Sequence, residues 1–312
     1  AREITLNASA HIGSAAQPLT TEHQVNRPEL AANRIFPMPN PDGEYTVELV
    51  RRAAADENGD PLFDDEGNPV LNWVTEVRVD YDWLRVDHPE EATRLDAKAG
   101  GNLHIAEQTG DLGIGIVSAG GDASLTTPGA IFDVRDDSET ENNLTAGGDA
   151  TLISQTAGIG FRDDYLDIDV TGVTTAQSVD DINLNDKNHL DLIADTLNGQ
   201  VYADAVGHID LSNSAPDTDL IIGPIHAGGD ATVTATGSVI AGDRLGREEQ
   251  VVGDSVSLNA QNGTVGTPDA PILIDSDAVS GGTLTVTASG TANVTELTDD
   301  IVIEQIQTGG DM

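Results

Sequence analysis

The stretch Ala119-Gly120-Gly121-Asp122-Ala123-Ser124-Leu125 decides how this chain is read, because the chain repeats it. It returns as Ala146-Gly147-Gly148-Asp149-Ala150-Thr151-Leu152 and as Ala227-Gly228-Gly229-Asp230-Ala231-Thr232-Val233. Weaker copies stand at Ala99-Gly100-Gly101-Asn102-Leu103, Gly253-Asp254-Ser255-Val256 and Gly281-Gly282-Thr283-Leu284, and Gly309-Gly310-Asp311 begins another. A turn followed by a short alternating strand, repeated every few tens of residues, is the signature of a solenoid. One such unit cannot bury its apolar face alone, so neighbours must stack. In this reading glycine supplies a positive φ at little cost and Asp bonds nearby backbone amides.

Working outward, Ala231-Thr232-Val233-Thr234-Ala235 alternates apolar residues with threonine, then Thr236-Gly237-Ser238 turns the chain into Val239-Ile240. Residues 163–224 lack the phrase but keep the rhythm. Tyr165 to Val170, Asp181 to Leu184, Leu190 to Ile193 and His208 to Leu211 all alternate at period two. No segment carries a capped 3.6-residue periodicity, so very little helix is expected. Ile4-Thr5-Leu6-Asn7-Ala8 parallels Val256-Ser257-Leu258-Asn259-Ala260, which places a first coil at residues 1–19 and the main run at 100–312. Joined tail to head, the two ends would read as one more turn and strand, so the expectation is an excerpt of a longer repetitive structure.

Residues 20–99 differ. They hold six of the ten aromatic residues and eight of the 14 basic ones. Pro28, Pro37, Pro39 and Pro41 mark an extended lead-in to an inserted β-meander. Strands are expected at Glu44–Arg52, at Leu62-Phe63 and over one long run from Trp73 to Val86. Trp73, Tyr81 and Trp83 fall on one face of that run with Arg78 on the other, and these four are the candidate partner contacts. The competing reading makes the rings the insert's own small core.

Composition narrows the function. The chain has 312 residues, 38% hydrophobic and only 3% aromatic, which suits a narrow aliphatic core better than a thick sandwich. With 54 acidic and 14 basic residues the formal charge is −40, which repels nucleic acid and anionic membranes. The acid is spread along the chain, so a solubilising coat is favoured over a calcium reservoir. No cysteine is present, which removes disulfides, thiolate metal sites and a cysteine nucleophile. No apolar run approaches the ~20 residues that span a bilayer. Arg2 to Asn7 already alternates as a strand, so an export signal is expected outside this segment.

The turn phrases, with Gly263-Thr264-Val265-Gly266-Thr267-Pro268-Asp269-Ala270-Pro271-Ile272, resemble the repeats of large bacterial filamentous adhesins of the haemagglutinin-like and leukotoxin-like kind. The resemblance covers residues 1–19 and most of 100–312. It implies a secreted right-handed parallel β-helix at the cell surface, serving as a stalk or contact surface. The repeat length gives on the order of ten coils, or roughly 50 Å of shaft at about 4.8 Å per layer. Its partners would be itself end to end, covalent neighbouring repeats, or surface glycans and proteins.

Chemistry is sparse. A carbohydrate-active β-helix enzyme, lyase or hydrolase, is the alternative function. A lyase needs a base, yet beyond residue 100 only Arg135, Arg162, Lys187, Arg244 and Arg247 are basic. A hydrolase needs two carboxylates roughly 6.5–9.5 Å apart across a sugar when it inverts. Asp163, Asp164, Asp167, Asp180 and Asp181 offer candidates that so acidic a chain supplies by chance. The expectation is no catalysis and no required cofactor. A calcium-stabilised sheath or surface-layer subunit is the third reading, with Asp56, Asn58, Asp60, Asp163 and Asp164 as candidate Ca2+ ligands. The Asp56 loop lacks the glycine position and the late bidentate Glu of a standard calcium loop. The seven histidines show no metal-ligand spacing, and no metal site is assigned.

Overall fold

A computed structural model describes residues 2–8, 12–13, 19–21, 45–53, 71–79, 82–87, 93–135, 141–162, 164–276, 281–298 and 300–310. Among them there is no helix. Their strands form two sheets, one of 16 strands and one of 11, and the two alternate along the chain as a parallel β-solenoid of about nine turns.

The opening elements are β1 (Arg2–Ala8), β2 (Leu19–Thr21), β3 (Tyr45–Ala53), β4 (Leu71–Val79), β5 (Asp82–Asp87), β6 (Thr93–Ala99) and β7 (Leu103–Glu107). β1 and β6 lie in the first sheet and pair in parallel from Arg2↔Thr93 to Ala8↔Ala99. β2 and β7 lie in the second sheet and pair from Leu19↔Ile105 to Thr21↔Glu107. Thr93–Ala99, read from sequence within the insert, is therefore a strand of the solenoid. The long strand expected from Trp73 to Val86 is instead a hairpin, β4 and β5, closed by Val79↔Asp82. A single strand of that length would run about 47 Å and overhang its neighbours; folding it back lets β5 pair on both edges. Its far edge joins β1 antiparallel, with Glu3↔Asp87 and Thr5↔Arg85. β3 and β4 complete the meander from Tyr45↔Val79 to Ala53↔Leu71. The meander thus continues the first sheet and closes the outer edge of β1. Leu62-Phe63 lies outside the described residues.

The core is a set of stacked aliphatic columns. In the second sheet, Leu192, Leu211, Val233, Leu258 and Val286 register one on the next. All five are almost fully buried. The alternation of Ala231–Ala235 shows how such a strand packs and why threonine sits between: Thr232 and Thr234 are half-exposed while Ala231, Val233 and Ala235 are buried. In the first sheet the column Val117, Leu144, Ile168 continues through Asp186 to Ala205 and Ala227. A carboxylate in that column is the one break in its aliphatic character.

The Gly-Gly turns pack for a different reason from the one expected. None of Gly120, Gly121, Gly147, Gly148, Gly228 and Gly229 has positive φ. What they require is closeness. A Cβ on Gly147 would stand 2.4 Å from the Gly120 carbonyl oxygen, and one on Gly228 would stand 2.1 Å from that of Val206. Backbone lies directly on backbone, and the amides bond coil to coil: Gly147 N–H donates to Ala119 O (3.0 Å) and Gly228 N–H to Ala205 O (2.9 Å).

Candidate functional site

At the turns, the Asp of the repeated phrase faces the next coil. Asn102 Oδ1 accepts the N–H of Asp122 (2.9 Å), Asp122 Oδ1 that of Asp149 (3.1 Å), and Asp149 Oδ1 that of Val173 (2.9 Å). Further along, Asp230 Oδ1 accepts the Ser255 N–H (3.1 Å) and Ser255 Oγ the Thr283 N–H (3.3 Å). Each acceptor satisfies a backbone donor that the solenoid would otherwise leave facing solvent. Between these runs the two middle turns use histidine. His189 Nδ1 accepts from His208 N–H (2.9 Å) and His208 Nδ1 from Asp230 N–H (2.8 Å). The two rings stack with centroids 5.0 Å apart and planes 12° from parallel.

At the opposite corner a column of short hydroxyls bonds the turn carbonyls, the first two across to the preceding coil and the last two within their own turn. Thr127 Oγ1 donates to Gly110 O (2.6 Å), Ser154 Oγ to Gly129 O (2.7 Å), Ser178 Oγ to Asp180 O (2.5 Å) and Thr196 Oγ1 to Gly199 O (2.9 Å). Short hydroxyl side chains suit this place, because they reach the corner carbonyls without filling the core.

An outer-surface cluster lies where residues 242–250 loop out between strands Val239–Ala241 and Val251–Gly253 and fold back across the first sheet. Leu245 (φ 53°) and Gly246 (φ 81°) reverse the chain there. Five successive coils meet beneath it, represented by Ile159, Ile182, Val201, Ile222 and Ala241, each in register with the next. Arg162 from the first of these coils bonds Asp181 of the second (2.8 Å) and reaches Asp243 of the fifth (3.2 Å). Its guanidinium also lies 5.3 Å from the Tyr202 ring centroid. Tyr202 points outward yet is fully buried, its ring flat against Gly223, where a Cβ would stand 2.2 Å from a ring carbon. Gln200 Oε1 accepts from Asp243 N–H (2.6 Å) and from Tyr202 Oη (3.3 Å). Arg247 contacts both Asp204 oxygens at 3.3 Å and donates to His226 Nδ1.

The electrostatics follow from this packing. Burial pushes the Tyr202 hydroxyl up to about 12, with Asp181 adding to the effect, and burial does the same to Tyr165. His226 is held below its ordinary range first by burial and then by the Arg247 charge. Asp186 is pushed up to about 6 by burial, despite accepting the Asn188 N–H (2.7 Å) and the Val170 N–H (3.4 Å). Arg162 and Arg247 each meet carboxylates of other coils, while Arg244 donates to the Glu248 carbonyl within the loop (2.6 Å). The arrangement ties coils together.

The residues singled out from sequence are distributed differently. Trp73 and Arg78 stand in β4, at register positions opposite Arg51 and Trp83. Tyr81, Asp56, Asn58, Asp60 and Asp163 lie outside the described residues. Asp164 closes a tight turn by exchanging backbone bonds with Phe161 (2.8 and 3.1 Å). Of the other candidate hydrolase carboxylates, Asp181 pairs with Arg162 and its Oδ1 accepts the Gln200 N–H (2.9 Å), while Asp167 Oδ1 accepts from Asn185 (2.7 Å). Among the described residues no group of three or more His, Asp or Glu is placed to hold a metal ion, and no helix is long and apolar enough to cross a membrane. Compared with known proteins, the chain matches no family model, no curated protein and no solved structure.

Proposed function

We propose that this chain is a structural shaft segment of a large secreted bacterial surface protein, carrying adhesive contacts away from the cell on an acidic rod. The observation that carries the reading is the use of the outer polar groups. The turn acceptors, the Thr127 and Ser154 hydroxyls and the five-coil clasp bond one coil to another. The columns beneath them are mainly aliphatic, with buried carboxylates at Glu107 and Asp186. A solenoid whose coils are tied on several sides resists unzipping, which is what an extended stalk needs. The net charge of −40 supports the same reading by keeping neighbouring rods apart.

The last described coil presents an apolar face. Ile303 and Ile306 occupy inward positions, in register with Leu284 and Val286, yet both are exposed, as are Leu297, Ile301 and Val302. A further stacked coil, covalent or from a second copy, would cover them. The proposed adhesive contacts remain Trp73, Tyr81, Trp83 and Arg78 of the meander. The test is immunogold electron microscopy of producing cells, combined with adhesion measured in the presence of antibody against the meander. Labelled surface fibres and blocked adhesion are expected; label confined to the cell interior would overturn the reading.

A further inference from the structure

The turn acceptors differ in one chemical respect. Asn102, Asp122, Asp149, Asp230 and Ser255 accept through oxygen, whereas His189 and His208 accept through Nδ1. A ring nitrogen that accepts a backbone N–H holds no proton, so each neutral ring carries its proton on Nε2. Protonation turns Nδ1 into a donor facing a donor. Histidine is the side chain whose charge ordinarily changes between pH 5 and 8, while an ordinary solvated carboxylate loses its charge only in stronger acid. Stacking adds to the effect, because two parallel imidazolium rings 5.0 Å apart repel each other.

We propose that the stacked pair His189 and His208 makes the turns at 187–189 and 206–208 an acid-sensitive joint in the shaft, closed while both Nδ1 atoms accept and loosened when acid protonates them. The Gly-Gly-Asp joints on either side stay closed in the same range. Charged groups around the rings set the balance. Asp230 Oδ2 lies 3.7 Å from His208 Nδ1. Asp191 and Asp210, each two residues beyond a histidine and in register with one another, add negative charge on the outer face. Asp169 and Asp186 supply more from the first-sheet side, and Lys187 in the turn itself opposes. Asp186 also works against any global readout. Its carboxyl is raised by burial, so its protonation near pH 6 relieves a penalty while histidine protonation imposes one. The opening is therefore local, and an overall melting temperature is the wrong probe.

The experiment is residue-resolved hydrogen exchange on the full chain at about pH 7.5 and about pH 5, corrected for intrinsic exchange rates. In the wild type the His208 and Asp230 amides are expected to lose protection by about threefold to tenfold in acid, the size of one hydrogen bond's net contribution. The amides of Asp122, Asp149 and Ser255, which meet oxygen acceptors, keep theirs. The doubly substituted His189→Asn, His208→Asn chain, which borrows the acceptor that Asn102 already provides, shows no selective loss. Equal loss at all five amides, no loss at His208 and Asp230, or a double variant that behaves like the wild type would each overturn the proposal. Imidazole 15N shifts of the wild type test it without any variant: Nδ1 of both rings must read as unprotonated at pH 7.5, and a proton there at that pH sinks the idea.

Discussion

Two parts of the solenoid reach the same geometry by different chemistry. The coils around Gly120, Gly147 and Gly228 use glycine turns that stack backbone on backbone, each followed by an Asp acceptor. The coils between residues 163 and 224 mostly lack that phrase, and they hold their turns with histidine and their outer face with the loop at 242–250. A side chain in the turn beneath does not open the contact: Val206 stands exposed there, yet its carbonyl still lies directly under Gly228. The glycine coils carry their stability in local shape. The middle coils carry it in long-range side-chain ties, and those ties can titrate.

The largest expected effect breaks the glycine side of this comparison. Gly228→Ala puts a Cβ against the Val206 carbonyl and should cost about 3 kcal/mol, the upper range for overpacking, whereas Val206→Ala should change stability by less than about 0.5 kcal/mol. Denaturant unfolding of both variants measures the contrast, and equal losses would remove the close-packing argument.

The next effect sharpens the titrating side. Asp186, with a folded-state pKa raised to about 6 from 3.8, binds its proton more tightly folded than unfolded. Its contribution to stability is therefore least unfavourable below about pH 4 and worsens as pH rises through about 6. Relative to Asp186→Asn, the wild type should lose about 3 kcal/mol between about pH 2 and about pH 8, since the shift from 3.8 to about 6 corresponds to that amount. A pH-independent difference between the two chains would contradict the burial of this carboxylate.

Smaller changes follow at the clasp and in the core. Arg247→Ala leaves Asp204 without its bidentate partner at a half-exposed site, for a loss of about 1 kcal/mol. His226 should then titrate higher, which NMR titration reads directly; an unchanged midpoint would mean that burial alone holds it down. Thr174→Val should stabilise by roughly 1 kcal/mol, because the Thr174 hydroxyl is buried in an aliphatic column with no hydrogen-bond partner. A destabilised valine variant would show that the hydroxyl is satisfied.

Much of this was legible in the sequence. The three Ala-Gly-Gly-Asp phrases and the period-two alternation are local signals, so they specified a stacked β-solenoid and its inward residues. The reason for glycine was not legible, because φ and carbonyl-to-Cβ distance belong to the stacked pair of coils. The hairpin at Val79↔Asp82 was hidden by alternation that runs unbroken through it. The clasp was missed since Arg162, Tyr202 and Arg247 are dozens of residues apart and meet only once coil lengths set the register. One trace of it existed: three of the five arginines and lysines beyond residue 100, Arg162, Arg244 and Arg247, sit in or against one loop.

The central claim is that coils stack along the long axis of an extended fibre. Fibre diffraction from oriented native material tests it most directly. The account predicts a strong reflection at about 4.8 Å along the fibre axis, the spacing between hydrogen-bonded layers. The same spacing found only across the fibre, or native material that yields compact particles and cannot be oriented, would contradict it.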